Sequence, residues 1–502
     1  MMLRTTLLLL APVFACAQSL PDFEKKVTEF TLPNGMHFIV LERHGAPVVS
    51  FNSYVNAGSV DDPSGETGIA HMFEHMAFKG TESIGTKDYP AEKKAIDGVE
   101  RVYDLYDAER NKGRHTDPKK VAALDKQLKA AMDKAGSYVV PNVYPRIIEE
   151  NGGVGLNAGT GEDSTNYFYN FPSNRLELWF LLESQRFLKP VFREFYKERD
   201  VVREERRMRV ESDPQGKLFE MLLATAFAAH PYRNMPGGWA SDIENFRLKE
   251  AVKFYKEYYV PANITIGIAG DVDPAECKRL AKKYFGLLPA GPLPDGVRTI
   301  EPPQEGEKRV QVQSPAQPML AIAYKRPNEN DPDDAAFDVV ADILSGGRTS
   351  LLYKEMVRDR KISLAAIASA TFPSGKYPGL FIFFLVPNMG HTNEENEKAC
   401  YEIIEKLKKD KVDEATMQRV KTKVRAGVIR SLDSNSGMAS ELTRYHVGYG
   451  NWRELFTGID EIDKVTADDV QRVARKYFVA DRRTVAYTTA PAKTSAQTEM
   501  AK

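Results

Sequence analysis

Residues 243–266 read IENFRLKEAVKFYKEYYVPANITI, and residues 462–485 read IDKVTADDVQRVARKYFVADRRTV. Laid side by side without a gap, Ile243 meets Ile462, Phe246 meets Val465 and Phe254 meets Val473. The aromatic pair Tyr258-Tyr259 meets Tyr477-Phe478, Val260 meets Val479, and Thr265-Ile266 meets Thr484-Val485. Val252 against the polar Gln471 is the one break among these positions. In each copy an amphipathic helix ends in two aromatics and leads into a strand. Chance amphipathic helices would share neither the aromatic pair nor the strand. The repeat therefore predicts an α+β protein of two similar domains, each an antiparallel-rich sheet packed with helices.

Between the copies, Leu288-Pro-Ala-Gly-Pro-Leu-Pro-Asp-Gly and then Pro302-Pro303 have the composition of an interdomain linker. The reading divides the chain into an N-terminal domain at 22–288, a Pro-rich linker at 289–304 and a C-terminal domain at 305–490. The small, polar residues 491–502 read as a disordered tail.

A chain of 502 residues is long enough for two or three cores. Lys and Arg number 69 against 70 Asp and Glu, so no global field favours nucleic acid or anionic lipid. The three cysteines, Cys16, Cys277 and Cys400, rule out a disulfide framework and a Cys-rich zinc module, leaving His and carboxylates for any metal. The N-terminus carries Arg4, an apolar run from Leu7 to Ala15 and small residues at Ala15 and Ala17. This pattern predicts a signal peptide at 1–17 and a periplasmic or secreted protein. Lipoprotein anchoring at Cys16 is disfavoured by the bulky Phe14 two positions before it. No later segment is a membrane-span candidate.

An Asn34-Gly35 turn between the alternating runs Phe30-Thr-Leu32 and Met36 to Leu41 predicts a hairpin, with the antiparallel sheet continued by Val48 to Asn56. A loop from Gly58 to Gly68 leads to a helix over Ile69 to Phe78. Residues 89–136 are dense in Lys, Glu, Asp and Ala and read as a charged helical hairpin, a solvated insertion. Strands are expected over Val154 to Phe171, and helices over Arg175 to Leu188 and Phe195 to Ser212.

The predicted helix after the Gly-rich loop carries His71-Met-Phe-Glu74-His75. Residues four apart share a helical face, so both imidazoles reach one ion while Glu74 stands beside it. This is the inverted H-x-x-E-H order of a hydrolytic zinc site, in which a carboxylate takes the proton of an activated water. A catalytic zinc needs a third protein ligand and an open position. The acidic run Glu198 to Glu205 offers Glu198, Glu204 and Glu205, and spacing alone does not choose among them.

The segment Gly58 to Thr81, with its His71-Met-Phe-Glu74-His75 core, resembles the active-site signature of the pitrilysin/insulinase family of zinc peptidases. The likeness is greatest to the half-size branch that includes the mitochondrial processing peptidase. It continues at Gly155 to Thr160, Glu198 to Glu205, His230-Pro-Tyr232, Tyr258 to Asn263 and Gly270-Asp-Val. The resemblance implies zinc held by His71, His75 and Glu205, Glu74 as general base, and Glu198 as a second acidic residue supporting the site. It implies an edge strand at Asn157 and Ala158 that pairs with a peptide substrate, and Arg358 as a substrate or oxyanion contact. Half-size chains of this family generally pair, so a homodimer or a heterodimer with a related chain is implied. Two departures stand out. The stretch between His75 and Glu205 exceeds the family spacing by about fifty residues, which insertion 89–136 accounts for. Where the family has a tyrosine seven residues after the arginine, this chain has Ala365. The expectation is a zinc endopeptidase acting on peptides or unfolded polypeptides; the alternative is a non-catalytic scaffold or partner subunit.

Overall fold

The repeat becomes two sheets of matching topology in the computed structural model, which describes residues 23–490. The signal-peptide reading of 1–17, with Cys16, and the tail reading of 491–502 lie outside the described residues. The first sheet comprises β1 (Val27–Thr31), β2 (His37–Glu42), β3 (Val48–Val55), β4 (Val154–Thr160), β5 (Thr165–Pro172) and β6 (Ile264–Gly270), in the order β1-β2-β6-β3-β5-β4. The second comprises β7 (Lys308–Gln313), β8 (Leu320–Lys325), β9 (Ser363–Phe372), β10 (Leu380–Pro387) and β11 (Arg483–Thr489), in the order β7-β11-β8-β10-β9. Removing β1 makes the two orders equivalent. In both, the repeated segment supplies a strand parallel to one neighbour and antiparallel to the other: β6 between β2 and β3, β11 between β7 and β8. The short turns at Pro261–Asn263 and Ala480–Arg482 precede these strands at equivalent places.

The β1–β2 hairpin forms about Gly35, whose φ of 96° lies in the left-handed region. β3 joins the same sheet as expected, with β6 lying between it and β2. Every residue of β6 is buried, so this apolar strand belongs in a sheet centre with both edges paired. The hairpin signal is local and carries no information about a strand more than 200 residues away.

One face of the first sheet packs on helices Leu176–Leu188 and Pro274–Tyr284, with Trp179 stacked 4.3 Å from Phe51 and Phe285 against Phe38. The second sheet builds a counterpart from Phe337, Phe381, Phe383 and Phe478. Cys277 and Cys400 are buried in these separate cores as free thiols.

The halves exchange helices. Pro214–Ala226, from the first half, packs on β7, β8 and β11 through Leu218 and Leu222 against Ala321, Ala323 and Ala486. Asn435–Tyr449, from the second half, packs on β3 and β6 with Ala439 and Leu442 against Ile39 and Ala269. Fully burying each leucine contributes about 1.5–3 kcal/mol. The Asn52 amide donates to the Thr443 hydroxyl at 2.7 Å within this contact. Residues 289–307 form no helix or strand, but the Glu301 carboxylate accepts from the backbone N–H groups of Ala228, Ala229 and His230 at 2.8, 2.9 and 3.0 Å.

Residues 89–136 form helices Tyr89–Arg110 and Pro118–Gly136, capped by Asp88 and Asp117. The pair is not wholly solvated. Tyr103 stacks on Tyr196 with ring centroids 4.1 Å apart, and buried Glu92 pairs with buried Arg193 at 2.7 Å. The charged composition describes the outer face; a narrow stripe of Ala95, Val99, Tyr103 and Leu128 joins the core.

Candidate metal centre

Helix Ile69–Met76 begins after Gly68, whose φ is 93°, and Asp62 accepts from the N–H groups of Gly68 and Ala70 at 2.6 and 3.0 Å. Its apolar residues Ile69, Met72, Phe73 and Met76 are buried. That burial turns His71, Glu74 and His75 to the other face. They meet helix Phe195–Arg206, itself anchored by Phe195, Tyr196 and Val202, which presents Glu198 and Glu205. A five-residue π-helical turn, Arg207–Glu211, follows directly.

The imidazole planes of His71 and His75 stand at 87° with centroids 4.8 Å apart. Glu205 Oε1 lies 3.8 Å from His71 Nε2, and Oε2 lies 3.3 Å from His75 Nε2. One ligand-capable atom from each of the three residues falls within 4.8 Å of the others. Two imidazoles and one carboxylate converging in this way fit a three-ligand zinc site. His75 Nδ1 is held by Glu198 Oε1 at 2.9 Å, a contact that fixes the ring and leaves Nε2 facing Glu205. Glu198 Oε2 is in turn held by Lys79 at 2.5 Å. Glu204 points elsewhere: its carboxylate is taken by Arg207 at 2.8 and 3.0 Å. Geometry thus separates three glutamates that spacing alone did not.

Electrostatics divides the two imidazoles. Burial, reinforced by the His75 charge, pushes His71 down to about 4. Burial also acts to lower His75, but hydrogen bonds and charge from Glu198 and Glu205 outweigh it and raise His75 to about 9. Glu198 is held down at about 2, burial opposing and the His75 and Lys79 contacts prevailing. Glu205 is lowered by its hydrogen bond to His75, against burial. Burial raises Glu74, opposed by the Thr160 hydroxyl, which donates to Glu74 Oε2 at 2.6 Å.

Sequence reasoning assigned no role to Thr160 or Lys79. Lys79 lies just past the end of the motif helix, and neither it nor Thr160 carried a spacing signal. Glu74, His75, Lys79, Tyr144 and Glu198 line a cavity of about 250 Å³. Asn157 and Ala158 lie on β4, the edge of the first sheet, with its outer side unpaired among the described strands. Arg358 sits on a π-helical turn, Tyr353–Asp359, half exposed and paired with Asp359 at 2.6 Å. Among the described residues it makes no ion pair with the His71 cluster. Ala365 lies in β9, the edge of the second sheet, opposite Val386.

The duplicated α+β fold with its His-His-Glu cluster defines the class, and comparison with known proteins gives the family. The family model for insulinase (peptidase family M16) matches residues 38–102 and 135–235. That for the peptidase M16 inactive domain matches residues 245–424. The unmatched residues 103–134 fall within the helical hairpin. The zinc protease PqqE of Helicobacter pylori is 28% identical over 472 residues, covering 91% of each chain. A probable mitochondrial-processing peptidase subunit beta of Arabidopsis thaliana is 23% identical, covering 91% of this chain and 76% of its own. The crystal structure of a protease from Helicobacter pylori aligns with a TM-score of 0.77 at 25% identity, covering 92% of this chain and 99% of that one. The chain belongs to the insulinase family of peptidases, family M16, as a half-size member.

Proposed function

We propose that the protein is a zinc-dependent endopeptidase acting on peptides or unfolded polypeptides. The observation that carries this reading is Glu74, fixed by Thr160 beside the convergent atoms of His71, His75 and Glu205. Zinc held by those three residues would supply Lewis-acid polarisation of a water and of the scissile carbonyl. Glu74 accepts the proton as that water attacks and passes it to the departing amine. Thr160 donates to Oε2, which leaves Oε1 to take up the proton. Glu198 and Lys79 keep the His75 ring from turning. The unpaired edge of β4 offers main-chain groups at Asn157 and Ala158 to an extended peptide, which favours unfolded substrates of loose sequence preference.

Chelator-stripped protein is expected to lose cleavage of an unstructured peptide and regain it with added zinc. Full activity after stripping would contradict the reading. A second reading, a partner-dependent or non-catalytic subunit, is favoured by Ala365 and by the pairing of Arg358 with Asp359. Zinc-loaded protein that cleaves only after a related half-size chain is added would decide for it. That outcome would also establish a heterodimer over the homodimer. The leader-like residues 1–17 support delivery to the periplasm or outside the cell. Cleavage of the leader and recovery in the periplasmic or extracellular fraction test that placement. Among the described residues no helix is long and apolar enough to cross a membrane.

A further inference from the structure

Attack of water on a peptide carbonyl puts a negative charge on the former carbonyl oxygen, and a site that performs it gains most from a donor already in place there. Most cations around the His71-His75-Glu205 cluster are committed elsewhere. Lys79 is taken by Glu198 and Glu194, and Arg358 is paired with Asp359. Around Glu205, Arg203 pairs with Glu211 and Glu244, Arg206 with Glu220 and Arg207 with Glu204. Arg209 alone of these cations pairs with a member of the cluster, its Nη1 standing 2.9 Å from Glu205 Oε1. We propose that Arg209 is the catalytic donor that receives this oxyanion, an assignment that rests on the proposed peptidase function.

The π-helical turn Arg207–Glu211 sets this placement. Val210 anchors the turn in the interior, and helix Pro214–Ala226 approaches so closely that a Cβ at Gly216 would stand 2.1 Å from the Arg209 carbonyl oxygen. The backbone is fixed, whereas the Arg209 side chain is 75% exposed and open to a substrate. Beside the burial and hydrogen bonds that dominate these groups, its positive charge acts on His71, Glu74 and Glu205 alike, so it faces the cluster as a whole. A guanidinium has five N–H donors and one ion pair uses at most two, which leaves donors for a second acceptor. As the water oxygen bonds to the carbonyl carbon, the C=O π pair moves onto oxygen while Glu74 takes the water proton. Arg209 donates a charge-assisted hydrogen bond to that oxygen and keeps its own proton, because a guanidinium does not deprotonate in a protein. The electron pair then re-forms the C=O bond as the C–N bond breaks, and Glu74 protonates the departing amine. The hydrogen bond is strongest when the oxygen is most negative, so its effect falls on kcat rather than on KM.

The test compares wild type, Arg209→Gln and Arg209→Lys, all reloaded with zinc. Cleavage of an unstructured peptide is measured together with calorimetric binding of a phosphinic peptide, whose anionic tetrahedral phosphorus group mimics the intermediate. Arg209→Gln is expected to lower kcat about 100- to 1,000-fold and to weaken phosphinic-peptide binding in parallel, with KM and zinc affinity within threefold of wild type. Arg209→Lys, which keeps the charge, should recover part of both losses. The binding arm decides even where turnover needs a partner chain. A wild type that neither cleaves nor binds the phosphinic peptide overturns the peptidase function and this assignment with it. Wild-type binding or cleavage that Arg209→Gln retains within threefold overturns the assignment alone. So does a loss confined to zinc affinity and restored by saturating zinc, which would make Arg209 a positioning residue for Glu205.

Discussion

At the scale of single residues, Glu198 and Thr160 act through others. Glu198 fixes His75 by its Nδ1, so Glu198→Gln is expected to weaken zinc binding roughly 10–100-fold while leaving the fold intact, measured by competition with a chromophoric chelator. Unchanged affinity would remove Glu198 from its positioning role. Thr160 stabilises the ionised form of Glu74 by donating to it. Thr160→Val removes that donor, so the Glu74 pKa rises further and the acid limb of kcat/KM moves to higher pH. An unshifted limb would mean that Glu74 does not set it. His71, Glu74 and His75 could be read from sequence because their spacing is that of one helical turn. The glutamates could not be separated so, since rotation about helix Phe195–Arg206 is set by the burial of Phe195, Tyr196 and Val202, not by the acidic run itself.

Among elements, the insertion shows how a charged composition misleads. Outer-face lysines and glutamates dominate residues 89–136, yet Glu92 is buried against Arg193, whose guanidinium also donates to the Thr81 and Ile84 carbonyls at 2.7 and 2.9 Å. These carbonyls belong to the loop that leaves the motif helix, so the hairpin helps position the site. Glu92→Ala would strand a buried guanidinium and is expected to cost about 3–5 kcal/mol in chemical unfolding. A change below about 0.5 kcal/mol would return the hairpin to a solvated appendage. The Asn34-Gly35 hairpin and the repeated helix-strand units were legible because turn chemistry and periodicity are local. The insertion of β6 between β2 and β3 was not, since strand neighbours are set by long-range burial.

For the molecule as a whole, a Pro-rich stretch between similar segments suggests two self-contained domains. Reciprocal exchange of Pro214–Ala226 and Asn435–Tyr449 gives each sheet a layer supplied by the other half. Neither segment stood out in the sequence, where an apolar helical stripe would fit either sheet equally well. A Cβ at Gly267 on β6 would meet the Ala439 carbonyl oxygen at 2.4 Å and Thr443 Cγ2 at 2.8 Å. Gly267→Ala is therefore expected to push the exchanged helix off the sheet at a cost of about 1–3 kcal/mol. Calorimetry should show one cooperative transition shifted down as a unit. A separate early peak for one half would mean that the halves are energetically independent.

One paired measurement decides whether Glu74 is the proton acceptor beside a His71-His75-Glu205 zinc centre. Wild type and Glu74→Gln, both reloaded with zinc, are assayed for metal bound at the His71 centre and for cleavage of an unstructured peptide mixture. Zinc is expected to be retained in the variant, with the cleavage rate reduced roughly 100- to 10,000-fold. Equal cleavage by both proteins, with equal zinc, would contradict it.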